Sequence, residues 1–262
     1  MSIRVAVAGA TGKLGRVAVS VIRAADDFQV VAELNSHSSF DEMLGADVLV
    51  DMTLPHVSPE IVTFALEHDL RVLVGTSGWS KERILSLRPL LEQHRERGVV
   101  IIPNFSLGSA LATALSTVAA RFFDSIEIIE AHGETKRDSP SGTAVRTAEL
   151  IGDVRARISP PRAPHTDQRA RGQQVAGIPV HSLRMSGVVA QQSVAFGGNG
   201  EALTIRHDTV SSSAYEAGIL LALRAATTTT GIRVGLESLL DLGIAEPPSD
   251  LWPTGVRETS EV

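Results

Sequence analysis

The segment Gly9-Ala10-Thr11-Gly12-Lys13-Leu14-Gly15 constrains the fold of this chain more than any other. Before it, Ile3, Val5 and Val7 alternate with polar or small residues, the period of a strand. After it, Leu14, Val17 and Val21 recur with Ala18, Ile22 and Ala25 as the apolar stripe of a helix. A strand, three spaced glycines and an amphipathic helix make the first βα turn of a doubly wound sheet. Gly9 permits the tight turn, Gly12 lets the backbone approach a diphosphate, and Gly15 lets helix and strand pack closely. The free N–H groups and positive dipole end of such a helix suit a dinucleotide. The string alone is weak evidence; its place between strand and helix is what gives it weight.

The same alternation continues. Strands are expected at Val30–Glu33, Asp47–Asp51, Arg71–Val74 and Val99–Ile102, with helical stretches near 59–68 and 80–97 between them. Near-continuous apolar strands separated by helices indicate a parallel sheet covered on both faces. After about Asn104 the pattern changes. A helix over Ala110–Phe122, a strand over Ile126–Ala131 and a helix over about 143–157 are followed by an aperiodic Pro- and Arg-containing loop, 159–176. Strand-like runs at 178–185, 187–196 and 201–207 then cluster, which suggests a mixed or antiparallel sheet in a second domain. A helix over Tyr215–Ala226 and apolar runs at 232–242 point back to the first domain, and a frayed tail is expected from Glu246 to Val262.

Charge and composition narrow the function. The 262 residues carry 24 Lys+Arg against 30 Asp+Glu, a net charge of −6, which argues against nucleic acid or an anionic membrane as partner. The absence of cysteine removes thiolate metal sites and cysteine nucleophiles. No apolar run approaches the ~18 residues of a membrane span. The N-terminus lacks the features of a secretory leader, so a cytoplasmic protein is expected. No HExxH or GxSxG string occurs, and no metal site is expected. Short-chain dehydrogenases, whose turn is similar, need a Tyr-x-x-x-Lys pair; the single tyrosine, Tyr215, is followed four residues on by Ile219.

Three further features carry chemistry. A dinucleotide fold places an acid at the end of the second strand to bind ribose hydroxyls. Here Glu33 falls one residue pair early and Asn35 stands at the tip, with Lys13, Ser36 and His37 as possible neighbours, so NADH and NADPH both remain open. His132 and Lys136 flank a polar loop after a strand, pairing an imidazole that titrates near neutrality with a flexible ammonium. Pro140-Ser141-Gly142-Thr143 leads into the next helix. Ser141 or Thr143 can cap it, and Gly142 leaves its N–H groups approachable by a carboxylate or phosphate.

Taken together, the chain resembles the dihydrodipicolinate reductase family from about residue 3 to 243. The resemblance rests on GATGKLG, Asp51-Met52-Thr53, Gly75-Thr76-Ser77-Gly78, Pro103-Asn104-Phe105-Ser106-Leu107-Gly108, EAHGETKRDSPSGTA, GIPVHSLR and GEALTIRHD. It implies a Rossmann-type α/β domain of residues 1–103 and 213–262, and an inserted α+β substrate and tetramerisation domain of residues 104–212. It implies an NADPH- or NADH-dependent reduction of 4-hydroxy-tetrahydrodipicolinate, via dihydrodipicolinate, to tetrahydrodipicolinate in lysine and diaminopimelate biosynthesis. By position, Gly9, Ala10, Thr11, Gly12, Lys13 and Leu14 would cradle the pyrophosphate. Gly75, Thr76 and Ser77 with Pro103, Asn104, Phe105 and Ser106 would line the nicotinamide side. His132 would give or take a proton, Lys136 would donate one, and Gly142 and Thr143 would hold a substrate carboxylate. Two departures stand out: Gly133 where the family carries a second histidine, and Ser212 where it often carries arginine. They leave room for a paralogue reducing a related cyclic imine or dihydropyridine carboxylate, or for a dinucleotide-binding protein without catalysis.

Overall fold

The computed structural model describes residues 2–243, so the tail expected to fray at 246–262 lies outside the described residues. The chain begins with β1 (Ile3–Ala8), α1 (Lys13–Arg23), β2 (Phe28–Leu34), β3 (Val48–Asp51), α2 (Ser58–Glu67) and β4 (Arg71–Val74). Two short helices, α3 (Lys81–Ser86) and α4 (Arg88–Gln93), precede β5 (Gly98–Ile101). The second half holds α5 (Leu107–Ala119), β6 (Ser125–His132), α6 (Gly142–Arg155), β7 (Gln173–Val175), β8 (Ile178–Arg184), β9 (Ala190–Gly198) and β10 (Glu201–Thr209). It closes with α7 (Glu216–Ala226) and β11 (Gly231–Val234).

The first sheet has the order β11-β5-β4-β3-β1-β2, and every pair is parallel. Successive strand residues face opposite ways, so a sheet covered on both sides needs apolar residues at every position. Val5, Val7 and Val50 pack against Ala18 and Ile22 of α1 and Ile219 and Leu223 of α7. Ala6, Ala8 and Leu49 pack on the other face against Ile61 and Ala65 of α2. The chain thus returns to this sheet at its end: α7 covers one face, and β11 pairs with β5 from Gly231↔Gly98 to Val234↔Ile101.

The second sheet has the order β10-β9-β6-β8-β7 and mixed pairing, with β6 and β8 parallel and the other pairs antiparallel. Ile126, Ile128, Val180, Val194 and Phe196 point to the face covered by Ala144, Ala148 and Ile151 of α6. The opposite face exposes Ile129 and Leu183. The β9–β10 turn is Asn199-Gly200, with Gly200 at φ 82°.

Two expectations are corrected. The helical stretch expected near 80–97 is divided into α3 and α4, because Pro89 has no N–H to donate back along the helix and its ring collides with the preceding turn. The loop expected over 159–176 contains β7, which pairs with β8 through a two-residue turn at Ala176-Gly177 with φ of 50° and 81°. Three polar-to-apolar residues and an alanine in the left-handed region give little sequence signal for that hairpin.

Candidate active site

The cofactor-side residues all follow the C-terminal ends of neighbouring parallel strands, where an open α/β sheet forms its crevice. Gly9–Leu14 follow β1, Asn35 follows β2, Gly75–Ser77 follow β4 and Pro103–Ser106 follow β5. The glycine turn is tied to its neighbour by Gly9 and Ala10 N–H groups donating to the Leu34 carbonyl at 2.9 and 3.1 Å. Gly9 has φ 74°, and a Cβ there would lie 2.3 Å from the Met52 carbonyl oxygen. A Cβ on Gly15 would lie 2.0 Å from the Gly9 oxygen, so helix and strand approach as closely as glycine allows. Gly12 is the N-cap of α1 without a capping side chain, and no acid occupies the first turn. The helix end therefore keeps free N–H donors and its positive dipole end, a cradle that fits a dinucleotide diphosphate.

Asn35 closes its own turn, its Oδ1 accepting the His37 N–H at 2.9 Å, and Ser38 Oγ accepts the Asn35 N–H at 3.4 Å. Glu33 ion-pairs with Arg23 of α1 and is thereby occupied away from the strand tip. Beneath the Gly75–Ser77 turn, Asp51 is fully buried. Its carboxylate accepts from Thr53 N at 2.9 Å, Thr53 Oγ1 at 2.5 Å, Thr76 Oγ1 at 3.0 Å, and the Ser58 hydroxyl. Gly75 lies between Met52 and Phe105, whose side chains a Cβ would meet at 2.5 and 2.6 Å.

On the substrate side, His132 ends β6, and the Lys136 N–H donates to the Gly133 carbonyl at 3.1 Å, which folds the loop back on the strand. Lys136 Nζ is 2.8 Å from Asp138 Oδ1; burial opposes ionisation of that acid, but the ammonium beside it holds its pKa below the usual range. Of the two possible caps of α6, Ser141 is the one used, accepting from Ala144 N at 3.2 Å. A Cβ on Gly142 would meet nothing within 4 Å, so that first turn opens to an approaching ligand. A Cβ on Gly133, the position where the resemblance implies a second histidine, would come within 3.2 Å of the Val188 carbonyl. Ser212 opens the 3-10 turn Ser212–Tyr215 that leads into α7.

The two sets of residues meet. Asn104 Nδ2 donates to Thr143 Oγ1 at 3.2 Å and to Ser109 Oγ at 3.1 Å. Arg146 of α6 pairs with Glu237 at 3.1 Å, in a small cleft that Asn104 and Thr143 also line. Ser106 Oγ lies 3.2 Å from His207 Nε2 of β10, and burial pushes the His207 pKa down.

Two residues without a role in the sequence pattern, Glu130 and Arg184, complete the site. Glu130 is fully buried below His132 and pairs with its Nδ1 at 2.6 Å and with Arg184 at 3.0 Å. Burial alone would raise the Glu130 pKa, but the hydrogen bonds from His132 and Arg184 outweigh it and hold the group down to about 2. The signal was present as Glu-x-His on one strand, since residues two apart share a face. Arg184 had none, because it reaches the site through the β6–β8 register, His132↔Arg184.

Family models match nearly the whole chain. "Dihydrodipicolinate reductase, N-terminus" matches residues 3–105 and "Dihydrodipicolinate reductase, C-terminus" matches residues 107–240. A 4-hydroxy-tetrahydrodipicolinate reductase of Clavibacter sepedonicus is 59% identical over 97% of this chain and 92% of its own. One from Clavibacter michiganensis subsp. michiganensis is 60% identical over 92% and 87%. Among solved structures, a dipicolinate-bound dihydrodipicolinate reductase from Paenisporosarcina sp. TG-14 superposes with a TM-score of 0.77, at 29% identity, over 92% of this chain and 100% of that one. On this combined footing, the chain belongs to the dihydrodipicolinate reductase family.

Proposed function

We propose that this protein reduces 4-hydroxy-tetrahydrodipicolinate, via dihydrodipicolinate, to tetrahydrodipicolinate in lysine and diaminopimelate biosynthesis, using NADPH or NADH. The observation that carries this reading is the Asn104–Thr143 hydrogen bond, which joins the nicotinamide-side segment to the helix end expected to hold a substrate carboxylate. Residues 1–103 and 213–262, of which 244–262 lie outside the described residues, would form the cofactor part, and 104–212 the substrate part.

Gly9–Leu14 would hold the diphosphate through backbone N–H groups, and Gly75–Ser77 with Pro103–Ser106 would line the nicotinamide. When bound, that ring supplies a hydride equivalent to the conjugated ring of the substrate. The N–H groups of Gly142 and Thr143 and the Thr143 hydroxyl grip one substrate carboxylate, which a chain of net charge −6 must capture with local donors. Hydride addition leaves an electron pair on the substrate ring. Lys136, released from Asp138, donates the proton that neutralises it, and His132 gives or takes a proton at Nε2. Asn35 places no negative charge where a 2′-phosphate would sit, which supports use of both nucleotides. The uncovered face of the second sheet, with Ile129 and Leu183 exposed, supports a homotetramer; light scattering at four times 27.8 kDa checks it.

The reading is tested by supplying enzymatically generated 4-hydroxy-tetrahydrodipicolinate with NADH and, separately, with NADPH. Oxidation of nucleotide matched by tetrahydrodipicolinate is expected with both. No oxidation with either would overturn it.

A further inference from the structure

Glu130 and His132 lie on the same face of β6, the face turned toward α6. The Glu130 carboxylate is fully enclosed, and four donors converge on it. They are His132 Nδ1 at 2.6 Å, two guanidinium N–H groups of Arg184 at 3.0 Å each, and the Ser141 backbone N–H at 3.2 Å. The Arg184 cation balances the buried charge. An ionised carboxylate only accepts, so the hydrogen between Glu130 and His132 belongs to Nδ1. A neutral imidazole carries one N–H; with it committed to Glu130, the lone pair sits on Nε2.

The same anion reaches the other two elements of the substrate side. Arg184 Nη2 also donates to the Asp138 carbonyl at 2.5 Å, and Asp138 holds the Lys136 ammonium. Ser141, whose N–H is taken by Glu130, is the N-cap of α6 and so fixes where the Gly142 and Thr143 N–H groups point.

We propose that Glu130 is a positioning residue. It holds His132 in one tautomer with Nε2 as the proton-exchanging atom, and through Arg184 and Ser141 it sets the Lys136 loop and the α6 N-terminus in register with that ring. Alignment of this kind, built before substrate arrives, avoids reorganisation during the reaction. The proposal rests on the reading of His132 and Lys136 as the proton-handling pair.

The test uses full-length protein labelled with 15N in its histidine rings, with the His132 signals identified by their loss in His132→Gln. The expected spectrum of neutral His132 shows a protonated Nδ1 and a bare Nε2. A proton on Nε2, or an even mixture of tautomers, would overturn the proposal. In Glu130→Gln the amide can turn its NH2 toward Nδ1, so loss of the single tautomer is expected. Its kcat should fall on the order of 100-fold. NADPH affinity should stay within about twofold, because the residue lies on the substrate side. Glu130→Asp, which keeps the anion, should recover part of kcat. Unchanged tautomer and kcat in Glu130→Gln would also overturn it. Should that variant not fold, the spectrum of the unsubstituted protein decides alone. The spectrum needs no substrate, so a failure of the reductase assay and a failure of this proposal remain distinguishable.

Discussion

The two sheets hold their halves of the site by opposite means. The parallel sheet uses shape: Gly9, Gly15 and Gly75 sit where a Cβ would come within 2.5 Å of a neighbouring atom, and the ligand groups offered are backbone N–H donors. The mixed sheet uses charge: His132 and Arg184 pair with the buried Glu130 carboxylate, and an Arg184 hydrogen bond to the Asp138 carbonyl ties in the separate Lys136–Asp138 pair. Steric exclusion tolerates no gradual change. A charge network can be retuned by single substitutions. The halves meet at few polar contacts, Asn104–Thr143 and Arg146–Glu237 among them. Damage to one half should therefore leave the other readable.

The largest expected effect on stability is that of Gly15→Ala. Its Cβ would fall 2.0 Å from the Gly9 oxygen, backbone that cannot step aside. A loss of about 3 kcal/mol in urea unfolding is expected, together with weakened NADPH binding. Normal stability would show that the close helix–strand approach is not needed.

Next is the acid response of the charged half. The folded Glu130 pKa of about 2 lies below its ordinary 4.5. A depressed acid stabilises the fold fully above its unfolded pKa and loses that contribution as pH falls through the folded one. Stability should thus decline between pH 4.5 and about 2, more steeply than in Glu130→Gln, where this group no longer titrates. Equal slopes from urea melts across that window would remove Glu130 from the explanation.

Smaller still is Thr143→Val, which deletes the hydroxyl that bridges to Asn104. One hydrogen bond of roughly 1–1.5 kcal/mol corresponds to about a tenfold rise in substrate KM, read in steady-state assays. The nucleotide KM should not move. The least effect is expected at Asn35: the unsubstituted protein should bind NADH and NADPH with near-equal affinity. A hundredfold preference for NADH would contradict the argument from the missing acid.

Much of the parallel half was legible in the residues, because strand period, glycine spacing and helical stripe are local signals. Gly9 and Gly12 announced the cradle, and Val5 and Val7 the buried strand. The break at Pro89 was equally local and could have been read from its missing N–H. The charged half was less legible. Ser141, Gly142 and Thr143 marked a helix start, but Arg184 lies 52 residues beyond His132 in the chain and meets it only through strand pairing. Likewise the β7 hairpin depends on Ala176 in a left-handed conformation that its side chain does not advertise. Long-range register, rather than residue type, is what the sequence withheld.

The central claim, that shape holds the cofactor while charge handles the proton, is tested most directly by titrating NADPH into Lys136→Ala beside its turnover. The account predicts a dissociation constant within about twofold of the unsubstituted protein and a loss of turnover on the order of 100-fold or more. A tenfold or greater loss of NADPH affinity with this one substitution would contradict it.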